Sequence, residues 1–350
     1  MDVRDSVLVT GAYGLVGRPL VHRLVADGYR VTATAHKTVK PSLPDAVDVR
    51  RVDLAQPDQV SAVVADVAPS AIVHLAAYLP PLCYANRERA RAVNVEATAA
   101  LVRAAQAMPN RPRFVHASSM AVYGSRNPHR CNDLLTPTTP PLASELYGCH
   151  KLVAENIVRS SGLEWSILRL GGVITLEPLV DYGDFETFYF GAVMPEDNRL
   201  HAVDVRDVAS AFAAAINTPA VREVFMIGGD DSHKVVQRDF NYASADAMGM
   251  SVMLLPGRPG DPESDTDWYP MDWMDTARAQ EVLSFQRYSF AESYDEIRAR
   301  ADWKVRRMRM IAPVLARAVR RRAPYYRQPG AYADPYGRIR DRWGDPSPDV

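Results

Sequence analysis

The sequence predicts an α/β fold: a doubly wound parallel sheet with a small C-terminal substrate subdomain. Three observations carry that prediction. Short apolar runs alternate with helical patterns through the first half, the first run leads straight into a glycine-rich turn and a helix, and two segments of weaker periodicity interrupt the alternation further on. Strand, glycine turn and helix in that order open a Rossmann-type sheet.

Taken in order, Val7-Leu8-Val9 is a continuous apolar run and reads as a buried strand. From Arg18 to Asp27, Leu20, Val21, Leu24 and Val25 fall on one face of a helix, and Arg30 to Ala35 is the next strand. A third strand ends in Arg50-Arg51-Val52-Asp53, Asp58 to Ala65 is a helix, and Ala71 to Leu75 is a fourth strand. A long helix from Arg87 to Met108 leads to a fifth strand, Arg113 to Ala117. Beyond it come a helix over Tyr147 to Ser161, a strand over Trp165 to Leu170, a helix from Asp207 to Asn217 with Asp207 as N-cap, and a late strand at Val224 to Ile227. Thr175 to Arg199 and Asp230 to about Tyr294 break the pattern, the second punctuated by Pro256, Pro259, Pro262 and Pro270.

The composition is that of a globular chain: 350 residues, 47% hydrophobic, 24% charged and a formal net charge of -1, with nothing that points to nucleic acid. Cys83, Cys131 and Cys149 lie too far apart for a metal knuckle or a redox pair, which implies a reducing cytoplasmic setting. No HxH, HExxH or carboxylate cluster suggests a metal site. The N-terminus lacks the sectors of a signal peptide, and no apolar run reaches membrane-spanning length.

Thr10-Gly11-Ala12-Tyr13-Gly14-Leu15-Val16-Gly17 follows the first strand. Glycine at 11 suits a tight turn, at 14 a close approach of backbone N–H groups to a pyrophosphate, and at 17 close packing of helix on strand. The spacing is TGxxGxxG, and with four further stretches it resembles the extended, epimerase/dehydratase branch of the short-chain dehydrogenases/reductases. Those stretches are Arg51-Val52-Asp53-Leu54, Val73-His74-Leu75-Ala76-Ala77, Asn94, and Val205-Arg206-Asp207-Val208-Ala209; the likeness runs from about residue 6 to about 296.

The resemblance implies a nicotinamide dinucleotide held by Gly11, Tyr13, Gly14, Leu15, Val16, Gly17, Asp53, Leu54, Leu75, Ala76, Ala77, Asn94, Ser118, Leu170 and Val173. It also assigns Tyr147 and Lys151 of Tyr147-Gly148-Cys149-His150-Lys151 to both cofactor and chemistry. Four residues apart, the phenol and the ammonium share a helix face, so the positive charge should lower the phenol's pKa and make Tyr147 an acid/base. Ser119, four residues before Tyr123, aligns with the family's catalytic hydroxyl, and Ser118 is the alternative. His74 and His116 read as core or supporting residues, and His150 points off the Tyr147 and Lys151 face.

After the second strand, Thr34-Ala35-His36-Lys37 has no acid for a ribose hydroxyl and two candidate cations, His36 and Lys37, for a 2′-phosphate; this favours NADP over NAD. Met120 and Ala121 stand where sugar dehydratases of the family carry Asp-Glu. Leu168 to Val173 lacks the substrate asparagine of nucleotide-sugar enzymes, and Asp204 replaces their usual histidine. Leu176, Leu179, Tyr182, Phe185, Phe188, Tyr189 and Phe190 suit either a pocket for an apolar or aromatic substrate or the packing of a small subdomain. The leading function is an NAD(P)-dependent oxidoreductase acting on a secondary alcohol or carbonyl. A nucleotide-sugar epimerase with tightly bound NAD, and a cofactor-binding sensor or scaffold, are the alternatives.

From Arg298 to Arg322 ten basic residues face one acid, so this segment carries +9 and the remainder -10. Ile297, Ala301, Val305, Met308, Ile311, Leu315 and Val319 give it an amphipathic helix kinked near Pro313, suited to a peripheral membrane surface, an acidic partner, or docking on its own chain. Ala323 to Val350 reads as an extended arm. The expected division is 1–174 plus 200–229 as the dinucleotide-binding domain, 175–199 plus 230–296 as the substrate-binding subdomain, and 297–350 as helix and arm. The resemblance adds the expectation of a homodimer.

Overall fold

The computed structural model describes residues 4–36, 43–176, 185–300, 316 and 320–349. The first βα units are β1 (Arg4–Thr10), α1 (Gly17–Ala26), β2 (Tyr29–Ala35), β3 (Asp48–Arg51), α2 (Pro57–Val67) and β4 (Ala71–His74). A short α3 (Leu82–Ala85) and α4 (Arg87–Arg91) lead through a π-helical turn, Ala92–Glu96, into α5 (Ala97–Ala107). Then come β5 (Arg113–Ser119), α6 (Leu146–Arg159), β6 (Trp165–Leu170), β7 (Gly172–Ile174), α7 (Phe185–Val193), β8 (Arg199–Asp204), α8 (Val205–Asn217) and β9 (Glu223–Ile227). The remainder holds β10 (Lys234–Val236), α9 (Gln237–Ala247), α10 (Ala277–Leu283), α11 (Phe290–Arg300) and α12 (Pro335–Trp343).

Seven parallel strands form the main sheet in the order β3-β2-β1-β4-β5-β6-β9. The pleat of β1 accounts for the double winding. Val7 and Val9 enter the apolar layer that contains Leu20 and Val21 of α1 and Phe212 of α8, whereas Leu8 enters the layer of Val60 and Val64 of α2, Leu101 of α5 and Val158 of α6. A strand covered by helices on both sides must be apolar throughout, which is why Val7-Leu8-Val9 shows no alternation. Strand order reverses between β1 and β4, so the crevice beyond their C-terminal ends is where such a sheet receives a ligand.

Several elements depart from expectation. The helix expected at Asp207 starts earlier, at Val205, and Asp204 caps it by accepting from the Arg206 N–H at 2.7 Å. Asp207 instead lies buried within α8 and accepts from the backbone N–H groups of Arg287 and Tyr288. The helix expected from Arg87 to Met108 is interrupted by the π turn. Arg199–Asp204, expected with the dinucleotide-binding part from residue 200, pairs with β7 and β10 in a separate three-stranded sheet.

The C-terminal arm is not extended throughout, because α12 folds back onto α3 and α7. Ile339 is fully buried beside Tyr84, Leu146 and Tyr147. Most of the basic helix expected from Ile297 lies outside the described residues; of its described part, Ile297 is buried against Ile174 and Tyr294, and Arg298 pairs with Asp246 and Asp295. No helix among the described residues is long and apolar enough to cross a membrane.

Candidate functional site

A cavity of about 650 Å³ opens beyond β1 and β4. Thr10 pairs with His74, so the two chains leave the sheet side by side. Gly11, at φ +69°, passes so close to the neighbouring chain that a Cβ would lie 2.6 Å from the Ala76 nitrogen. A Cβ on Gly17 would overlap the Gly11 carbonyl oxygen. Glycine at both positions is what lets the turn close and brings the start of α1 to the cavity wall, where helix N–H groups favour an anion. Gly11, Tyr13, Gly14, Leu15, Val16 and Gly17 line this wall, with Leu75, Ala76 and Ala77 from the chain after β4; Ser118, Ser119, Tyr147, Lys151, Leu170 and Val173 also border the cavity. Such a cradle fits the pyrophosphate of a dinucleotide.

His36, Asp53 and Leu54 line the same cavity, together with Arg89, which the sequence reading did not single out. Arg89 donates to Asp53 at 2.8 Å, and His36 Nε2 lies 3.6 Å from the same carboxylate. Burial pushes the Asp53 carboxyl up, but bonds from Arg89 and Ala55 and the charges of Arg89 and His36 outweigh it and hold the group below its ordinary value. Lys37 lies outside the described residues. Asn94 does not line the cavity. Nearly fully buried in the π turn, it accepts from the Tyr78 N–H at 2.7 Å and donates to the Tyr78 carbonyl at 3.0 Å, fixing the loop after β4.

The two serines separate clearly. Consecutive on β5, they point to opposite sides of the strand. Ser118 is buried and donates to Glu155 Oε1 at 2.6 Å. Glu155, fully buried on α6 one turn beyond Lys151, is gripped by Arg169 of β6 through two bonds of 2.8 and 2.6 Å. Ser119 accepts from the Ala121 N–H at 3.2 Å and stands with Tyr147 on the cavity wall, so it is the hydroxyl open to a ligand.

Lys151 is buried, donates to the Ala117 carbonyl at 2.8 Å, and stands 5.7 Å from the centre of the Tyr147 ring. Burial lowers its pKa to about 8 against the opposing charge of Glu155. The expectation that Lys151 would lower the phenol's pKa is not met. Burial, reinforced by Cys83 and Glu145, pushes Tyr147 well above its ordinary value, and the bond with Ser119 offsets this only in part. Tyr147 is therefore a neutral phenol. His74 is pushed down to about 3 by burial and by Lys151, and His116 is also held neutral by burial. Both belong to the core beneath the site.

Glu145, which no sequence signal marked, caps the helix that carries Tyr147. Its buried carboxylate accepts from the N–H groups of Tyr147 (2.6 Å) and Gly148 (2.5 Å) and from the Tyr84 hydroxyl (2.9 Å), which in turn bonds the Tyr269 hydroxyl. Burial pushes its pKa up to about 7, with those bonds working in the other direction.

Ser119 and Tyr147 also border a second cavity of about 430 Å³, with Met120, Phe188, Phe190, Leu200, Phe240 and Tyr269 in its wall. None of the described residues lining it is charged. Of the aromatic and apolar run expected here, Phe188 and Phe190 reach this cavity, Leu176 packs into the core beside Ile174, and Tyr189 packs against Trp343. Leu179, Tyr182 and the Phe185 side chain lie outside the described residues. A further cavity of about 310 Å³, sharing Asn241 and Leu254 with the second, carries Glu196, Arg238 and Arg320.

The C-terminal segment braces these walls. Trp343 Nε1 and Arg342 bond Glu186 of α7, and the Trp343 ring meets Tyr189 and Phe190 edge-on. Tyr336 donates to the Trp268 carbonyl, and Asp349 pairs with His150 (2.9 Å) and Arg87.

Residues 7–176 match the NAD dependent epimerase/dehydratase family. The chain is 30% identical over 176 residues to dTDP-glucose 4,6-dehydratase of Neisseria gonorrhoeae, covering 45% of this chain and 50% of that protein. It is 28% identical over 180 residues to D-erythronate dehydrogenase of Cupriavidus necator, covering 47% and 54%. The chain thus spans about half the length of these curated relatives. In fold it is similar to UDP-glucose 4-epimerase of Thermus thermophilus, solved in complex with NAD, at a TM-score of 0.67 and 22% identity over 85% of this chain and 100% of that one. Residues 7–176, with their glycine cradle on a parallel sheet, thus resemble the NAD dependent epimerase/dehydratase family.

Proposed function

We propose that this protein is an NAD(P)-dependent oxidoreductase that interconverts a secondary alcohol and a carbonyl compound. The observation that carries the reading is that Ser119 and Tyr147 stand on the wall common to two cavities, one with a dinucleotide cradle and one without charge. A nicotinamide cofactor held in the larger cavity would supply or accept the hydride. Tyr147, kept neutral by burial, carries the proton that a substrate oxygen needs, and Ser119 polarises that oxygen by hydrogen bonding. Lys151, with its pKa near 8, stabilises charge that develops on the phenol. On the same reading Gly11 to Gly17, Leu75 to Ala77, Asp53 and Leu54 hold the dinucleotide, and Asn94 acts by positioning Tyr78.

The reading takes NADP before NAD, with His36 and Arg89 as cations for a 2′-phosphate. Both already face Asp53, so direct titration decides the matter. An uncharged second cavity favours an apolar or aromatic substrate over a nucleotide sugar, whose diphosphate needs cations. One observation supports the nucleotide-sugar epimerase as a second reading: Arg238 and Arg320 in the adjoining cavity, beyond Asn241 and Leu254. A homodimer remains the expected assembly, checked by light scattering.

The deciding experiment denatures the purified protein, identifies any released nucleotide by mass spectrometry, and titrates the stripped protein with NADPH and NADH. Dissociable cofactor, tighter NADPH binding and cofactor consumption with aryl or alkyl ketones support the oxidoreductase, with turnover falling at least about a hundredfold in Tyr147→Phe. Retained NAD with no net consumption points to the epimerase. Failure to bind either nucleotide refutes both.

A further inference from the structure

Gln237 and Asn241 stand one turn apart on α9, and both line the uncharged cavity. Their amides have one consistent orientation. The Gly191 carbonyl can only accept, so the nitrogen of Asn241 must face it, and it donates there at 3.1 Å. That leaves Asn241 Oδ1 facing Gln237 and requiring a donor, which Gln237 Nε2 supplies at 2.8 Å. Gly191 makes room for the arrangement, since a Cβ there would come within 2.9 Å of Asn241 Oδ1. The remaining end of the chain of amides, Gln237 Oε1, has no hydrogen-bond donor among the described residues, although Gln237 is only 5% exposed.

An apolar ligand filling the cavity would displace water from this oxygen and supply no donor, which is costly. Phe188, Phe190, Leu200, Phe240 and Leu255 give the ligand apolar contacts but no donor for that oxygen. We propose that Gln237 is a specificity-determining residue, its Oε1 accepting a hydrogen bond from a hydroxyl or N–H group on an otherwise apolar, uncharged carbonyl or alcohol substrate. This rests on the oxidoreductase reading above. Such a substrate is held at two polar points of one cavity, its reacting oxygen at Ser119 and Tyr147 and its donor at Gln237, with apolar contacts between. An analogue lacking the donor leaves Oε1 unpaired and is selected against. Asn241 acts through Gln237 and is a positioning residue.

The test uses the full-length protein, NADPH and NADH, and matched aryl ketones without and with a hydroxyl at each ring position. In the wild-type protein a hydroxylated ketone should exceed its unsubstituted parent in kcat/KM by about ten- to a hundredfold. In Gln237→Leu the preference should fall to within about twofold, mainly through KM, while cofactor affinity stays unchanged. Unchanged cofactor affinity also shows that the variant is folded. Ketone turnover without preference, or a preference that survives in Gln237→Leu, overturns the inference alone. A wild-type protein that binds cofactor and reduces no ketone of the series overturns the oxidoreductase reading, and this inference with it.

Discussion

Replacing Glu145 with Gln should remove a pH-dependent loss of stability that is centred on the site itself. The Glu145 carboxyl is fully buried, and its pKa is raised from 4.5 to about 7, chiefly by that burial. Because the folded-state value lies above the unfolded one, protonation favours the fold. That contribution is complete below about pH 4.5 and is lost as pH rises through 7. A rise from 4.5 to about 7, at about 1.4 kcal/mol for each pH unit, sets the full loss at roughly 3 kcal/mol, most of which falls between pH 5 and pH 8. The neutral carboxyl can still satisfy its surroundings, giving its proton to the Tyr84 hydroxyl while accepting from Tyr147 and Gly148. The amide of Glu145→Gln would not titrate, but its NH₂ group must face one of those backbone donors, which costs about 1–3 kcal/mol at every pH. Urea unfolding of both proteins at pH 5 and pH 8 separates the two effects. The variant should be the less stable at pH 5, and the gap should close or reverse by pH 8. A stability difference between the two proteins that is constant to within about 0.5 kcal/mol across this range would refute the reasoning, since a carboxylate that stays ionised throughout contributes no slope.

Three further outcomes follow from the same geometry. Ser119→Ala should lower turnover by about a hundredfold or more at unchanged cofactor affinity, whereas Ser118→Ala, which removes a bond to Glu155, should cost stability of about 1 kcal/mol with turnover largely kept; steady-state kinetics and urea melts distinguish them, and the reverse pattern would reassign the hydroxyl. Arg169→Met takes from the buried Glu155 the nearer of its two arginine partners among the described residues, leaving only Arg159 at 3.4 Å, and should destabilise by about 3–5 kcal/mol at neutral pH in a urea melt. Trp343→Ala removes the ring packed on Tyr189 and Phe190 and the Glu186 bond, so amides of Phe185–Val193 should exchange hydrogen faster while those of β1 do not change.

Features set within one or two turns of chain were legible without the fold. Val7-Leu8-Val9 entering Gly11-Ala12-Tyr13-Gly14 specifies a strand and a tight turn because the backbone there is limited by its own sterics, and Tyr147 and Lys151 share a helix face by spacing alone. Glu155, one turn further along that face, could have been added on the same grounds. What the sequence could not supply was solvation. Spacing suggested that Lys151 would depress the Tyr147 phenol, but burial beside Cys83 and Glu145 raises it, and the depth of a side chain depends on elements far away in the chain. The choice between Ser118 and Ser119 likewise waited on Glu155 and Arg169, which come from α6 and β6 and claim one hydroxyl. The polar pole at Gln237 arises because Gly191, 50 positions before Asn241, places a carbonyl against that amide. Nor could composition reveal that the Pro- and Tyr-rich terminus folds back as α12 over α7, since its burial depends on a partner surface formed by other segments. Local sterics and periodicity determined the sheet, the cradle and the phenol–ammonium pair; burial and hydrogen bonds between distant segments decided which hydroxyl is open, which groups are charged and what braces the wall of the uncharged cavity.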